Sequence, residues 1–597
     1  MNRTPGGTRI ADEIDRYWFR LTLVAWAAVS IYFLIDRWPW IQALSLSDTD
    51  DNMRLMQVRA LLGGQGWFDL RNYRLNPPIG FDIHWSRLVD LPIAGLILLL
   101  RPFVRYAEAE RWACGIAPLL PLSIAMLGIS ATVRRLVDPR AWPLGLLLLL
   151  TSAVVTMQMF MPERIDHHGW QLAMLSLTVA GLADPQARRG GAIVGIASAV
   201  SLTIGLEMLP FAAMAGAIIG LRWVLDRDEA DRVSLYALTL AGGSAIGFAA
   251  FASNANQVAR CDALTPVWLS VMVAAGALLF LLARLNPAQR WARLVLGAIA
   301  GGAIAAGFAL VFPQCLGRPE QVSPELARDW LSHIKEARPV YTFPFRQAFP
   351  IVTVPILGIL GAAFATWRAR RDAAKLGIWL PVLLFTIFSG LMLLWQARAG
   401  PGAQLLAIPG VTALAWLVLG WTLGHRNMLV RVLGTVIGFV AISGAFAGLA
   451  IRFLPVDQPD ARTNTINHAS GSCPTLHSMA PLNRYPAQTI FTFIDLGPRL
   501  VTITHHDAIA GPYHRNGDAI LDVQHAFIGS PDTFRAIAKR HGATMLLVCP
   551  NMAESTIYRA RAPNGFYSQL AQNKVPDWLT PLPLPKNSPL RLFKIDQ

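Results

Sequence analysis

The chain has 597 residues, of which 54% are hydrophobic and only 15% charged, a balance that excludes a soluble protein of this size and a single small domain. The net charge of +15 does not point to nucleic acid, because the basic residues gather in short loops between apolar runs, as orientation signals do. The composition predicts a polytopic membrane protein.

Tyr17 to Leu34 reads as a retained first span, since it is long for a signal-peptide core and no small-residue cleavage pattern follows it. Directly after it comes D-T-D-D, with Asp48, Asp50 and Asp51 set where a loop can present carboxylates to a metal or a phosphate. The same residues suit the N-cap of a helix running from Met53 to Leu62. The loop continues through N-P-P-I-G and H-W-S-R-L-V-D to Asp90. Apolar runs follow at Ile116 to Val133, Trp142 to Met157, Trp170 to Leu182, Ala192 to Ile204, Leu209 to Leu221 and Val233 to Phe251. More lie at Trp268 to Leu282, Leu294 to Phe312, Ile351 to Trp367, Ile378 to Trp395, Leu405 to Leu423 and Val432 to Ile451. With the first span, about thirteen transmembrane helices are predicted.

Six basic turns, marked by Arg134, Arg188, Arg222, Arg284, Arg368 and Arg426 with their neighbours, fall on one side and are assigned to the cytoplasm. That parity makes Leu91 to Val104 a re-entrant or interfacial helix. It places the large loops 37–112 and 313–350, and everything after Pro455, on the periplasmic face of a bacterial inner membrane. The predicted division is a transmembrane domain over 1–454 and a soluble α/β domain over 455–597. In the latter, Thr489 to Ile494, Leu500 to Ile503 and Thr544 to Cys549 read as strands, and Pro531 to His541 as a helix. Cys261, Cys315, Cys473 and Cys549 all lie on the outer side, where disulfides Cys261 to Cys315 and Cys473 to Cys549 are possible.

Three outer stretches carry chemistry. In M-P-E-R-I-D-H-H-G-W, Asp166 and His168 are two apart and can share a cation, a carboxylate–imidazole pair that suits manganese better than calcium. In S-H-I-K-E-A-R-P, Glu336 sits in a loop able to close over a substrate. In W-Q-A-R-A-G-P, Arg398 can fork onto a lipid phosphate or snorkel to the interface. His505, His506, Asp507 and His514 fit no standard zinc spacing and read chiefly as polar loop residues. Glu207, inside an apolar run, supports a rival reading as a transporter or flippase.

The order of these motifs resembles the catalytic subunit of oligosaccharyltransferase, a membrane glycosyltransferase of the GT-C class, over roughly residues 10–452. Asp50, Arg54 and Gly63 to Gly66 are similar to that family's first outer loop, Asp166-His167-His168 to its archaeal second motif, and His333 to Glu336 to its external-loop glutamate motif. The resemblance implies that Asp50, Asp166 and His168 hold a divalent metal, Mn2+ or Mg2+, with Asp48 and Asp51 as rivals for the first position. It further implies that Glu336 positions metal and acceptor, and that Arg398 contacts the phosphate of a polyprenyl-linked sugar donor. Asp50, Asp51 and Glu336 are the catalytic candidates. One departure stands out: the outer domain lacks the family's Trp-Trp-Asp-Tyr-Gly motif, which reads the glycosylation sequon. The expected acceptor is a protein, with a lipid, glycan or polysaccharide as the alternative.

Overall fold

The computed structural model describes residues 13–453 and 460–596; the predicted domain boundary at 454/455 lies outside them. Every apolar run predicted to span lies on a helix, or on two helices separated by a short break. Among the described residues nine helices are long and apolar enough to cross a membrane, and a tenth if Val430–Ile442 and Ala445–Phe453, bent by 85° at Gly444, count as one. The run at Trp142 breaks at Ala153 into Trp142–Ser152 and Val154–Gln158. Leu91 to Val104 becomes an 11-residue helix, Asp90–Leu100, about 16 Å long at the usual rise and too short to span.

Helices Phe345–Ala369 and Gly400–Leu423 pack backbone to backbone because Gly358, Gly361 and Gly410 lie at their crossing. A Cβ on Gly361 would clash with the Gly410 carbonyl, and one on Gly410 with the Gly358 carbonyl. Such close approach by small residues is how helices gain contact where lipid offers no hydrophobic driving force.

The basic turns meet at one end of this bundle. Asp184, fully buried, pairs with Arg135 at 2.9 Å and Arg189 at 2.6 Å, and its carbonyl accepts from Arg232 at 2.8 Å. Arg222 donates to Leu182 O, Arg293 to Val224 O and Trp379 Nε1 to Leu136 O. Five of the six basic turns are thereby joined or adjacent, as their charge pattern requires.

The opposite end carries a small hairpin, β1 (Arg71–Asn72) with β2 (Phe81–Asp82), and the C-terminal domain. That domain is a mixed sheet of β3 (Thr489–Phe491), β4 (Asp507–Ala508), β5 (Met545–Val548), β6 (Leu579–Leu582) and β7 (Arg591–Ile595), in the order β4-β3-β5-β7-β6. β3 pairs in parallel with β4 and β5, whereas β7 runs antiparallel to β5 and β6. Leu500 to Ile503, predicted as a strand, belongs instead to helix Gly497–Ile503. Its aliphatic residues are buried by packing against the polar helix Thr49–Leu62, so their hydrophobicity reflects a docking surface and not a sheet. Both expected cysteine pairs are disulfides, and Cys114 is free and buried.

One hydrophobic core runs through the C-terminal domain and into the first outer loop. Met53, Leu75, Phe81, Ile83 and Trp85 share it with Phe491, Phe493, Phe527 and Leu546. Each such side chain contributes roughly 1.5–3 kcal/mol when fully buried. Leu75 bridges Ala508, and Arg74 pairs with Asp507 at 3.0 Å. The first loop and the C-terminal domain therefore form one outer layer.

Candidate active site

Helix Thr49–Leu62 starts where Asp48 caps it, accepting from the Thr49 N–H at 2.6 Å. Asp50 and Asp51 occupy its first turn, where the helix dipole favours negative charge. Arg54, one turn on, is buried with Asp90 in a 2.7 Å ion pair and lies 4.7 Å above the Trp85 ring. Its role is to hold the helix against the rest of the loop.

The second motif folds back onto this turn. Asp166 accepts the His168 N–H at 3.0 Å, capping helix His168–Leu182, and its other oxygen meets His168 Nδ1 at 3.0 Å. Asp51 accepts the Asp166 N–H at 2.9 Å. Arg164 closes the cluster, reaching Asp48 at 3.0 Å, Asp51 at 3.3 Å and Asp166 at 2.8 Å. Both oxygens of the fully buried Asp51 are thus engaged. Asp50 differs: it has no hydrogen bond or ion pair among the described residues. Burial pushes its carboxyl up to about 8, with Asp48 and Asp166 adding to the effect and His168 and Arg164 opposing it. Asp166, although burial opposes ionisation, is held well below the ordinary carboxylate range by His168 and Arg164. Among the described residues no group of three His, Cys, Asp or Glu side chains converges at metal-ligand spacing.

Glu336 and Arg398 face each other across 3.3 Å. Loop residues 338–340 dock on the same helix ends, with Val340 N donating to Leu393 O and Ala397 N to Arg338 O. No hydrogen bond or ion pair joins Glu336 or Arg398 to the Asp50 cluster among the described residues.

Three acidic side chains near the cluster have surroundings that the sequence did not disclose. Glu207, placed on a transport path by its position in an apolar run, lies at the outer end, bonded to His167 at 3.1 Å and Gln171 at 2.9 Å, with His84 at 3.9 Å. Glu163, expected only as a member of the motif, is 1% exposed, and neither carboxylate oxygen has a partner. Burial and then Asp51 push its carboxyl up to about 9. Asp262 binds both His514 and Arg515 of the C-terminal domain. His505 and His506 are spent on the carbonyls of Tyr485 and Leu482, which makes them structural residues of their turn.

No family model and no curated protein sequence matches the chain. Solved structures do. An oligosaccharyltransferase, AglB from Archaeoglobus fulgidus, in complex with an inhibitory peptide and a dolichol-phosphate, superposes with a TM-score of 0.66 at 16% identity, covering 95% of this chain and 73% of that one. The same organism's enzyme tethered to an acceptor peptide with an NVT sequon gives 0.64 at 16%, over 97% and 76%. Its complex with Zn and sulfate gives 0.59 at 16%, over 94% and 71%. The chain thus shares the fold of the archaeal oligosaccharyltransferase structures.

Proposed function

We propose that the chain is a membrane glycosyltransferase that moves a sugar or oligosaccharide from a polyprenyl-(pyro)phosphate donor to a protein acceptor, on the periplasmic face of a bacterial inner membrane. The observation that carries this reading is Asp50: a carboxylate left without a partner beside Asp166 and His168, on the outer face of a GT-C fold. Glu207, which motivated a transport reading, is bound into this same outer end.

A divalent cation, Mn2+ or Mg2+, belongs to this reading by the donor types alone, since both Asp166 oxygens and His168 Nδ1 are engaged with each other and with Arg164 and no metal-spaced group of three occurs among the described residues. Asp50 has no ion pair among the described residues, and its carboxyl is raised by burial first and then by the negative charge of Asp48 and Asp166. Asp50, Asp166 and His168 would hold the ion. It supplies Lewis-acid stabilisation of the phosphate charge that grows as the glycosidic bond breaks. Asp51 and Arg164 keep the two acidic motifs in register. Arg398 offers forked donors to the donor phosphate, releasing Glu336 to orient the acceptor nucleophile. The bond from the anomeric carbon to phosphate breaks as the bond to the acceptor forms. The acceptor proton leaves to a carboxylate or to solvent. In this reading the transfer is a single displacement with inversion at the anomeric carbon, in which Asp50 holds the cation and does not act as a nucleophile.

A lipid, glycan or polysaccharide acceptor is the second reading, favoured by the missing Trp-Trp-Asp-Tyr-Gly motif. The test is transfer from a lipid-linked sugar extract by purified protein with manganese, against EDTA and against an Asp166→Ala, His168→Ala variant. Mass spectrometry of the product names the acceptor. Full transfer in EDTA, or by the variant, would remove the metal site from the proposal.

A further inference from the structure

The segment Tyr513-His514-Arg515 leaves the C-terminal domain and enters the outer face of the membrane domain. Arg515 grips Asp262 with two bonds of 2.7 Å and takes Asn256 Oδ1 at 2.8 Å. His514 Nε2 adds a 2.6 Å contact to the same Asp262 oxygen. Asp262 follows Cys261, whose disulfide to Cys315 ties this loop to the turn after helix Arg290–Val311. The acid is therefore held from both sides, by a disulfide beside it in the membrane domain and by Arg515 and His514 of the C-terminal domain.

Tyr513, the next residue along, is 3% exposed. Its ring stacks on Phe81 at 5.4 Å and meets Trp85 edge-on at 6.0 Å. Its hydroxyl donates to the Thr49 carbonyl at 2.8 Å. That carbonyl belongs to the same planar peptide unit as the Asp50 N–H, so the bond fixes the plane from which the Asp50 side chain departs. Among the described residues Asp50 has no hydrogen-bond or ion-pair partner to orient it, and a reacting group displaced by about 1 Å loses much of its effect.

We infer that Tyr513 is a positioning residue for Asp50, and that the Asp262–Arg515 latch beside the Cys261–Cys315 disulfide holds Tyr513 in place. The C-terminal domain is then a working part of the active site, latched at this point to a membrane-domain loop that the Cys261–Cys315 disulfide anchors. This rests on the proposed role of Asp50.

The test uses the full chain in lipid nanodiscs, comparing wild type, Tyr513→Phe, Arg515→Gln, the pair Cys261→Ser with Cys315→Ser, and Asp50→Asn. Transfer kinetics and amide hydrogen exchange over residues 49–53 are measured for each. Tyr513→Phe keeps the ring and loses one hydrogen bond, so kcat should fall about five-fold with the KM for donor unchanged, while exchange over 49–53 quickens. The latch and disulfide variants should show the same pattern. Wild-type kcat in Tyr513→Phe, or unaltered exchange over 49–53, would overturn the inference. Full transfer by Asp50→Asn would instead overturn the reading of the site, and the exchange data, which need no catalysis, would still decide the latch.

Discussion

The Asp51 carboxylate accepts the backbone N–H of Asp166 at 2.9 Å, joining two acidic motifs more than a hundred residues apart. This bond separates two neighbouring aspartates: Asp51 fastens the loops together, whereas Asp50 has no hydrogen bond or ion pair among the described residues and is the proposed chemical group. Asp51→Asn retains an acceptor oxygen and should preserve the fold. Asp51→Ala leaves the Asp166 N–H and Arg164 without that partner and should cost about 1–3 kcal/mol of stability, read by thermal unfolding in nanodiscs.

Arg164 is the only cation bonded to Asp48, Asp51 and Asp166 together among the described residues. Arg164→Ala leaves Asp48 and Asp51 without their ion pair and Asp166 with His168 alone. Transfer should fall at least about ten-fold, since an unpaired buried charge costs roughly 3–5 kcal/mol. Raising manganese should restore part of the rate if added cation can replace the guanidinium; a loss that no metal concentration repairs would assign Arg164 a purely mechanical role.

Glu163 makes stability depend on pH. Its carboxyl is raised in the folded state from an ordinary 4.5 to about 9, by burial and by Asp51. The folded chain therefore keeps a proton that the unfolded chain releases. Stability from this group is full below about 4.5 and is lost as pH rises toward 9. Glu163→Gln keeps the shape without the ionisation, so its Tm should match wild type near pH 4.5 and exceed it at pH 8. Parallel Tm curves for the two proteins would show that Glu163 is not buried as a neutral acid.

Arg54 and Asp90 form a pair with both side chains fully buried. Asp90→Ala strands both Arg54 and Arg87, which also pairs with Asp90 at 3.4 Å, and should destabilise the outer layer by about 3–5 kcal/mol; Arg54→Ala leaves Asp90 its bond to Arg87 and should cost less. The helix Thr49–Leu62 would loosen with it, and hydrogen exchange there should report the change before the membrane helices respond.

Hydropathy alone located the membrane helices, because lipid demands long apolar runs and leaves little room for competing readings. The run Leu500 to Ile503 was misread for the opposite reason: four apolar residues in a water-facing domain are consistent with a strand or a buried helix turn, and only docking against helix Thr49–Leu62 decides. Strand β6 carried a weaker signal, with prolines at 581, 583 and 585 in it and just after it interrupting any alternation. Asp50, Asp166, His168, Glu336 and Arg398 were all visible as motifs. Their partners were not, since contacts such as His167 with Glu207, Asp262 with Arg515 and Tyr513 with Thr49 join residues far apart in the chain. The turn G-P-Y-H-R-N-G around Tyr513 was the one local clue to the last two, a polar, aromatic loop between a strand and a helix.

The most direct measurement is the transfer rate of Asp50→Asn beside that of Asp51→Asn, in saturating manganese with a lipid-linked sugar extract as donor. The account predicts that Asp50→Asn loses transfer by about a hundred-fold or more, as removal of a group acting on the transition state does, while Asp51→Asn keeps a substantial part of it. Transfer surviving in Asp50→Asn and vanishing in Asp51→Asn would contradict the assignment of the open carboxylate. No transfer by folded wild type to any peptide, lipid or glycan would contradict the enzyme itself.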